Sequence, residues 1–592
     1  MNRFRCISLM VVVAYMGLNS LFCQQVFEVN LNDRSDDTFK VTLLPEHLSK
    51  SNNVFQFAST APGTYQRMDV GKYVSDFKAY DRSGRELTTQ HLSVNQWSIT
   101  DPETVQKITY TVADMWNAKV DQDKVFPMCS TTLSDDFVMI NGQGVFGYFS
   151  GMQSEPIRIK LDYPSTWEIG TALEKDKDGY YRADDFDNVV DSPFYLGKLS
   201  TSTTELGGAK IEVYTYSQKG LITSNAILES LKSTLAAESD FTKGLPVNRY
   251  AFLFYFGPFS AGAWEHSYSS EYVMKEDSLT PAYAANLISI VAHEFFHVNI
   301  PLNIHSELIE HFNFVKPEMS QHLWFYEGTT EWAAHILQLR DGLISLDQYL
   351  NVLQNEFNAN DGYDQNLSLT DLGMHSTELQ KQYPNIYQKG ALVSTFLDIR
   401  LLQLSGGKRG LRELINDLAR DYGKKRSFSE ARFFDELVKR TYPEIGDFID
   451  RYIMGTEKLP AKEYFSWLGI GYQERVESGD STKGSLGISM APSNNELEVV
   501  NVSPYSKSGL IAGDVIEKVD GMGVTLENVG KVFGEVVKRK PGSKVTITIR
   551  RTGKEMDIAA ELAVSVVRHK FTIDPNASSN QIRLRKAWME NL

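Results

Sequence analysis

The sequence predicts a multidomain protein: an all-β, sandwich-like N-terminal domain, a central domain passing from mixed α/β to α-helical, and a small C-terminal β module. Three observations carry this reading. Residues 25 to 200 alternate polar and apolar positions between regular turn signals, as in "FKVTLL" and "IRIKLDYP", the period of half-buried antiparallel strands. Residues 280 to 465 switch to helical spacing, as in "PAYAANLISIVAHEFFHV" and "IYQKGALVSTFLDIRLLQL". Residues 484 to 565 return to short strands and glycine turns, as in "GSLGISM" and "VSPYSKSGLIAGDVIEKVDG".

The chain has 592 residues, 42% of them hydrophobic and 11% aromatic, enough for several cores. Its net charge of −15, with no long basic run, excludes nucleic acid as the main partner, because phosphate binding needs clustered cations. The opening "MNRFRCISLMVVVAYMGLNSLFCQQ" reads as a secretory signal: Arg3 and Arg5 precede an apolar stretch from Ile7 to Leu18 that is short for a bilayer. Cleavage after Cys23 is expected, and with it export to a periplasmic or extracellular location. A short membrane anchor is the alternative; lipid attachment at Cys23 fits poorly after the bulky Phe22. No later segment reaches transmembrane length.

Cys6, Cys23 and Cys129 are the only cysteines, so the mature chain keeps Cys129 alone. It has to rely on its cores rather than on disulfides, and a metal site has to use His, Asp and Glu. The expected boundaries are a signal at 1–23, the β domain at 24–200, the central domain at 201–465, the C-terminal module at 466–570 and a tail at 571–592.

The chemistry concentrates in "VAHEFFHVNI", residues 291–300. Thr280 and Pro281 suit the N-cap and first position of a helix. On that helix His293 and His297 project from one face a turn apart, where their imidazoles can converge on a metal ion. Glu294 lies about 100° around, beside such an ion, where a base acting on water belongs. A catalytic zinc site needs a third protein ligand and an open position. "LWFYEGTTEW" supplies Glu327 as that candidate and Glu331, a turn later, as a carboxylate bonding the outer nitrogen of a ligating histidine. The bland alternative is a histidine-bearing core helix followed by a solvated acidic face. "AGAWEHS" follows a strand-like run and puts Glu265 along a cleft edge, and "YQKGALV" opens a further helix with Tyr387.

Taken together these residues resemble the glycyl aminopeptidase family of zinc metallopeptidases, thermolysin-like gluzincins with an N-terminal β domain and a C-terminal PDZ domain. "APGTYQR" and "VVDSPFYLG" in the first domain add to the likeness, which covers nearly the whole mature chain. The resemblance implies one Zn2+ per chain held by His293, His297 and Glu327, with Glu294 as catalytic base. It implies that Glu265 grips the substrate's free amine and that Tyr387 stabilises the transition-state oxyanion. Ser485, Leu486, Gly487 and Ile488 fall where a PDZ domain's carboxylate-binding loop belongs. The expected activity is removal of N-terminal residues from peptides, with glycine and alanine as candidates, and the expected partners are peptide substrates and a C-terminal peptide on the PDZ domain. Where the glycyl type carries Trp-Asn and basic residues after the second histidine, this chain reads "VNIPLNIHSEL". An endopeptidase of the same fold, and a PDZ scaffold with a vestigial zinc site, remain the alternatives.

Overall fold

The protein is described by a computed structural model comprising residues 25–120, 124–477, 482–493 and 496–590. The signal reading at 1–23 lies outside the described residues. The chain forms two compact units. One runs to Ser320 and adds Met374–Leu379 and Asp417–Phe433; the other holds Gln321–Gly373, Gln380–Asn416 and Phe434–Leu592. The segment 201–465 therefore contributes to both units.

In the first unit, a seven-stranded sheet has the order Tyr181–Ala183, Ile157–Asp162, Gln25–Asn30, Thr38–Pro45, Val105–Ala113, Val74–Asp81, Glu86–Leu87. Two four-stranded sheets accompany it. The sequence alternation is the packing alternation: along Thr38–Pro45 the buried positions include Phe39, Val41 and Leu43. They join Phe27, Phe55, Phe57 and Tyr110 in one aromatic-rich core, so the expected all-β N-terminal domain is present.

The same unit carries a mixed five-stranded sheet, ordered Ser200–Leu206, Ala209–Ser217, Arg249–Gly257, Ser269–Lys275, Gly262–Glu265. Ala209–Ser217 runs parallel to Arg249–Gly257, and the helix Ser224–Thr242 makes the crossover that parallel pairing requires. Arg249–Gly257, "RYAFLFYFG", is covered on both faces and is accordingly apolar almost throughout. Gly262–Glu265 stands at the sheet's edge, antiparallel to Ser269–Lys275.

The helix Pro281–Phe296 begins as expected, with Thr280 Oγ1 accepting from Tyr283 N at 3.2 Å and Pro281 in the first position. Leu287, Val291 and Phe295, spaced by four, bury one face against the sheet. The Phe295 ring lies 4.7 Å from Tyr250 and 5.5 Å from Phe252. That packing fixes the rotation of the helix, and hence the direction in which its other face looks.

The second unit is helical, with the C-terminal β module attached. A π-helical turn, Trp324–Gly328, leads directly into the helix Thr329–Arg340. Leu346–Asn360 starts on a capping box made by Ser345 and Gln348. Asn385–Ser405 crosses the π turn so closely that a Cβ on Gly328 would stand 2.4 Å from the Gly390 Cα. Only two glycines allow this backbone-to-backbone approach. Arg340 and Asp398, both fully buried, pair at 2.7 Å between two helices.

The module enters and leaves through one antiparallel ribbon, Ile470–Glu477 with Val566–Ile573, in which Glu477 faces Val566. Its own core is built from Leu486, Val499, Ile516, Val536, Ile547 and Leu562 among others. The expected tail is ordered over its described part, to Glu590. Helix Ser579–Glu590 inserts Trp588 among the helices, where its ring meets Tyr349 at 5.5 Å and its carbonyl accepts from Arg340 Nε at 3.0 Å. No helix among the described residues is long and apolar enough to cross a membrane.

Candidate metal centre and peptidase site

His293 and His297 are buried at the C-terminal end of the Pro281–Phe296 helix, where His297 is the C-cap and keeps helical geometry. Their Nε2 atoms stand 3.1 Å apart. The Nδ1 of His297 meets the Ile300 carbonyl at 2.7 Å. A carbonyl only accepts, so Nδ1 carries the hydrogen and the Nε2 lone pair of the neutral ring is left for an ion. Two nitrogens each bonded to one tetrahedral zinc at about 2.0–2.1 Å would stand about 3.3 Å apart, so the pair is spaced as metal ligands are. A cation between the rings would take up the lone pair that His297 leaves at Nε2.

Two carboxylates lie beside them. Glu294 follows from the same helix and Glu265 comes from the edge strand Gly262–Glu265. Glu265, Glu294 and His297 offer ligand atoms that all lie within 4.8 Å of one another, and all three are buried. The sequence-predicted residues of the first unit are thus brought together, although nearly thirty residues of chain separate Glu265 from Glu294. With no cysteine among them, a metal ion here would meet only imidazole nitrogen and carboxylate oxygen.

Behind this group is a buried polar layer that periodicity did not indicate. Burial alone would push His266 down, but Asp191 and Glu271 on either side, at 3.7 and 3.8 Å, hold it above its ordinary value. Burial raises the Glu271 carboxyl, which faces Trp264 across the strand pair. Glu238, from the crossover helix Ser224–Thr242, is fully buried, and its carboxyl is pushed well up by burial and drawn partly back by His293. None of these has a short-range signal; only their placement beside the motif marks them. Burial also raises the Cys129 thiol, with Glu271, Glu265 and Glu294 adding to the effect, so it is a neutral, inert group.

In the second unit, Glu327 is buried on the π turn, a geometry frequent at functional sites and not foreseen from the helical spacing. Glu331 lies one turn on, 3.9 Å from His335 Nδ1. Tyr387 sits near the start of Asn385–Ser405, and its hydroxyl meets that of Tyr383 at 2.7 Å. The Gly328–Gly390 crossing ties these elements: Glu327 precedes one glycine and Tyr387 lies one turn before the other. In the C-terminal module, Gly487 has φ +65° and its N–H meets Ser485 Oγ at 3.0 Å, while Leu486 is buried in the module core. Ser485 and Ile488 are half-buried at the loop's two ends.

Three family models match the chain: the peptidase M61 N-terminal domain at residues 26–198, M61 glycyl aminopeptidase at 286–393 and a PDZ domain at 484–562. In solved structures, an aminopeptidase N family protein from Idiomarina loihiensis shares the fold over 95% of this chain and 100% of its own, with a TM-score of 0.79 and 21% identity. A carboxy-terminal-processing protease of Bartonella bacilliformis is 30% identical over 151 residues, 24% of this chain. A serine protease Do-like HtrA of Lactobacillus helveticus is 29% identical over 131 residues, 22% of this chain. The chain spans 34% and 26% of the lengths of these curated relatives. Fold and domain order thus define a multidomain, peptidase-type chain: an all-β N-terminal domain, a mainly helical peptidase domain and a PDZ module. The chain carries peptidase M61 N-terminal and M61 glycyl aminopeptidase domains, followed by a PDZ domain.

Proposed function

We propose that the protein is a zinc-dependent aminopeptidase that removes N-terminal residues, glycine and alanine among them, from peptides. The observation that carries this is the convergence of the two Nε2 atoms, 3.1 Å apart, with two buried carboxylates beside them. His293, His297 and Glu327 are the ligands in this reading, and Glu331 supports a ligand from the outer side. A bound zinc ion supplies Lewis-acid polarisation of the scissile carbonyl and makes water more acidic. Glu294 takes the proton of the attacking water and passes it to the leaving amine. The Tyr387 hydroxyl, oriented by Tyr383, donates to the oxygen that becomes negative in the transition state. Glu265 accepts hydrogen bonds from the substrate's α-ammonium group. The PDZ module takes a peptide C-terminus at the Ser485–Ile488 loop, and the protein acts after export, on peptides outside the cytoplasm.

The test is a pair of peptides identical except for acetylation of the first amine. Losing a charge-assisted hydrogen bond and leaving Glu265 against a neutral amide costs about 2–4 kcal/mol, which is roughly thirty- to a thousandfold in kcat/KM. Equal cleavage of both peptides refutes the aminopeptidase reading and favours the endopeptidase.

A further inference from the structure

The motif "APGTYQR" of the N-terminal β domain has had no part in the chemistry above. Residues 60–66 form a loop closed on itself. Thr60 Oγ1 donates to the Gln66 carbonyl at 2.9 Å, and Thr64 Oγ1 to the Ala61 carbonyl at 2.7 Å. The Gln66 side chain ties the loop to a neighbouring segment, donating to Lys124 O at 2.7 Å and accepting from Phe126 N at 3.1 Å. Two of its residues are left-handed, Gly63 at φ +73° and Tyr65 at φ +45°. A tyrosine in that region is strained, and such strain persists where the surroundings impose it and where function uses it.

What the loop presses against is the strand that carries Glu265. Trp264 Nε1 donates to the Pro62 carbonyl at 3.1 Å. A methyl group placed on Gly63 would overlap Glu265 Oε1 and stand 2.8 Å from Trp264 Nε1. Gly63 thus lets the loop backbone approach one oxygen of the carboxylate assigned to the substrate amine, closer than any other residue would permit.

We propose that the 60–66 loop is the closed end of the substrate cleft. Gly63 sets the position of the Glu265 carboxylate, and the loop occupies the space into which a longer or acylated amino terminus would extend. An enzyme that trims chain ends needs a partner for the ammonium group and an obstacle behind it. Glu265 provides the first, and the N-terminal β domain provides the second from two hundred residues away in sequence. The recognised substrate class is therefore peptides ending at a free α-amine, with Gly63 as a positioning residue acting through Glu265. This inference rests on the aminopeptidase reading.

The experiment uses the full-length, zinc-loaded protein and a free-amine and N-acetylated pair of alanyl peptides. Gly63→Ala is expected to raise KM for the free-amine peptide on the order of tenfold, with zinc content unchanged and the slow cleavage of the acetylated peptide unaffected. In a Glu265→Ala background, Gly63→Ala is expected to have no further effect, because its target is gone. Gly84→Ala controls for left-handed strain: it has φ +82° and nothing within 4 Å of an added Cβ, and it should leave kinetics unchanged. Trp264→Phe, which removes the donor to Pro62 along with part of the buried indole, should lower the free-to-acetylated ratio in the same direction and serves if Gly63→Ala fails to fold. A wild type that discriminates between the peptides, with variants that do not reduce that discrimination, overturns the inference alone. An equal loss from Gly63→Ala with and without Glu265 also overturns it. A wild type that does not discriminate overturns the aminopeptidase reading itself.

Discussion

Trp588 offers the sharpest test of how the second unit is held together. The indole is fully buried in the last described helix, against Tyr349 and Phe465, and its backbone carbonyl accepts from Arg340 Nε. Truncating it to alanine removes a large apolar side chain from a site that relaxes only partly, at about 3–5 kcal/mol. Ending the chain before Ser579 also removes the carbonyl. Arg340 then loses an acceptor inside the protein, for about 1–3 kcal/mol more. The total, about 4–8 kcal/mol, rivals the whole stability of an ordinary domain at about 5–15 kcal/mol. Trp588→Ala should therefore shift the urea midpoint of the second unit's transition down by about 1–2.5 M, taking about 2–3 kcal/mol per molar for the denaturant slope. The truncation should be insoluble or unfolded. Excising only the PDZ module and joining Glu477 to Val566 through a short linker should leave a folded protein, since those residues already face each other. The readout is urea unfolding followed by circular dichroism, with proteolysis as a second probe. A midpoint for Trp588→Ala within about 0.3 M of wild type would refute the packing argument.

Other outcomes follow from the site and from one buried acid. Glu294→Gln should keep about one zinc per chain and lose nearly all turnover, whereas Glu327→Ala should lose the metal; atomic absorption with a rate assay separates the two. Tyr387→Phe should lower kcat on the order of a hundredfold with the metal retained, and an unchanged kcat removes this hydroxyl from the mechanism. Asp187 is pushed up to about 6 by burial, outweighing the Gln153 side chain that donates to it at 3.1 Å. Its folded-state value is raised, so its contribution is full below the unfolded value near 3.8 and is lost as pH rises through about 6. Asp187→Asn should accordingly raise stability at pH 7 by about 1–2 kcal/mol and change nothing at pH 3.5, as followed by thermal unfolding at the two pH values.

Much of the site was legible because a helix writes its faces into its spacing. Leu287, Val291 and Phe295 mark the buried face, and His293 and His297 fall on another, so the metal-facing pair could be read before any fold was known. The N-terminal β domain was legible for the matching reason, since strands alternate. The layer behind the histidines was not. Glu238, His266 and Glu271 come from a crossover helix and from a strand pair, and no local period connects them to residue 293. The contact of Gly63 with Glu265 joins positions two hundred apart, and only the assembled first unit reveals it. The π turn at Glu327 escaped because Trp324 to Gly328 are all buried, so no alternation of burial distinguishes one kind of turn from another. The tail escaped because Trp588 is the one buried residue of helix Ser579–Glu590, and a single buried position leaves no helical stripe to read.

The placement of the PDZ module inside the ribbon has a consequence for biosynthesis. A ribosome making this chain delivers Arg340, Tyr349 and Asp398 long before Trp588, and the whole PDZ module emerges in the interval. The module, with its own core, can complete folding while its host still lacks the residue that covers Arg340. The helices upstream spend that interval with an open seam that closes only when the last helix arrives. A nascent chain stalled after the PDZ should thus carry a finished guest in an unfinished host, and chaperones that recognise exposed apolar surface would have their longest opportunity there.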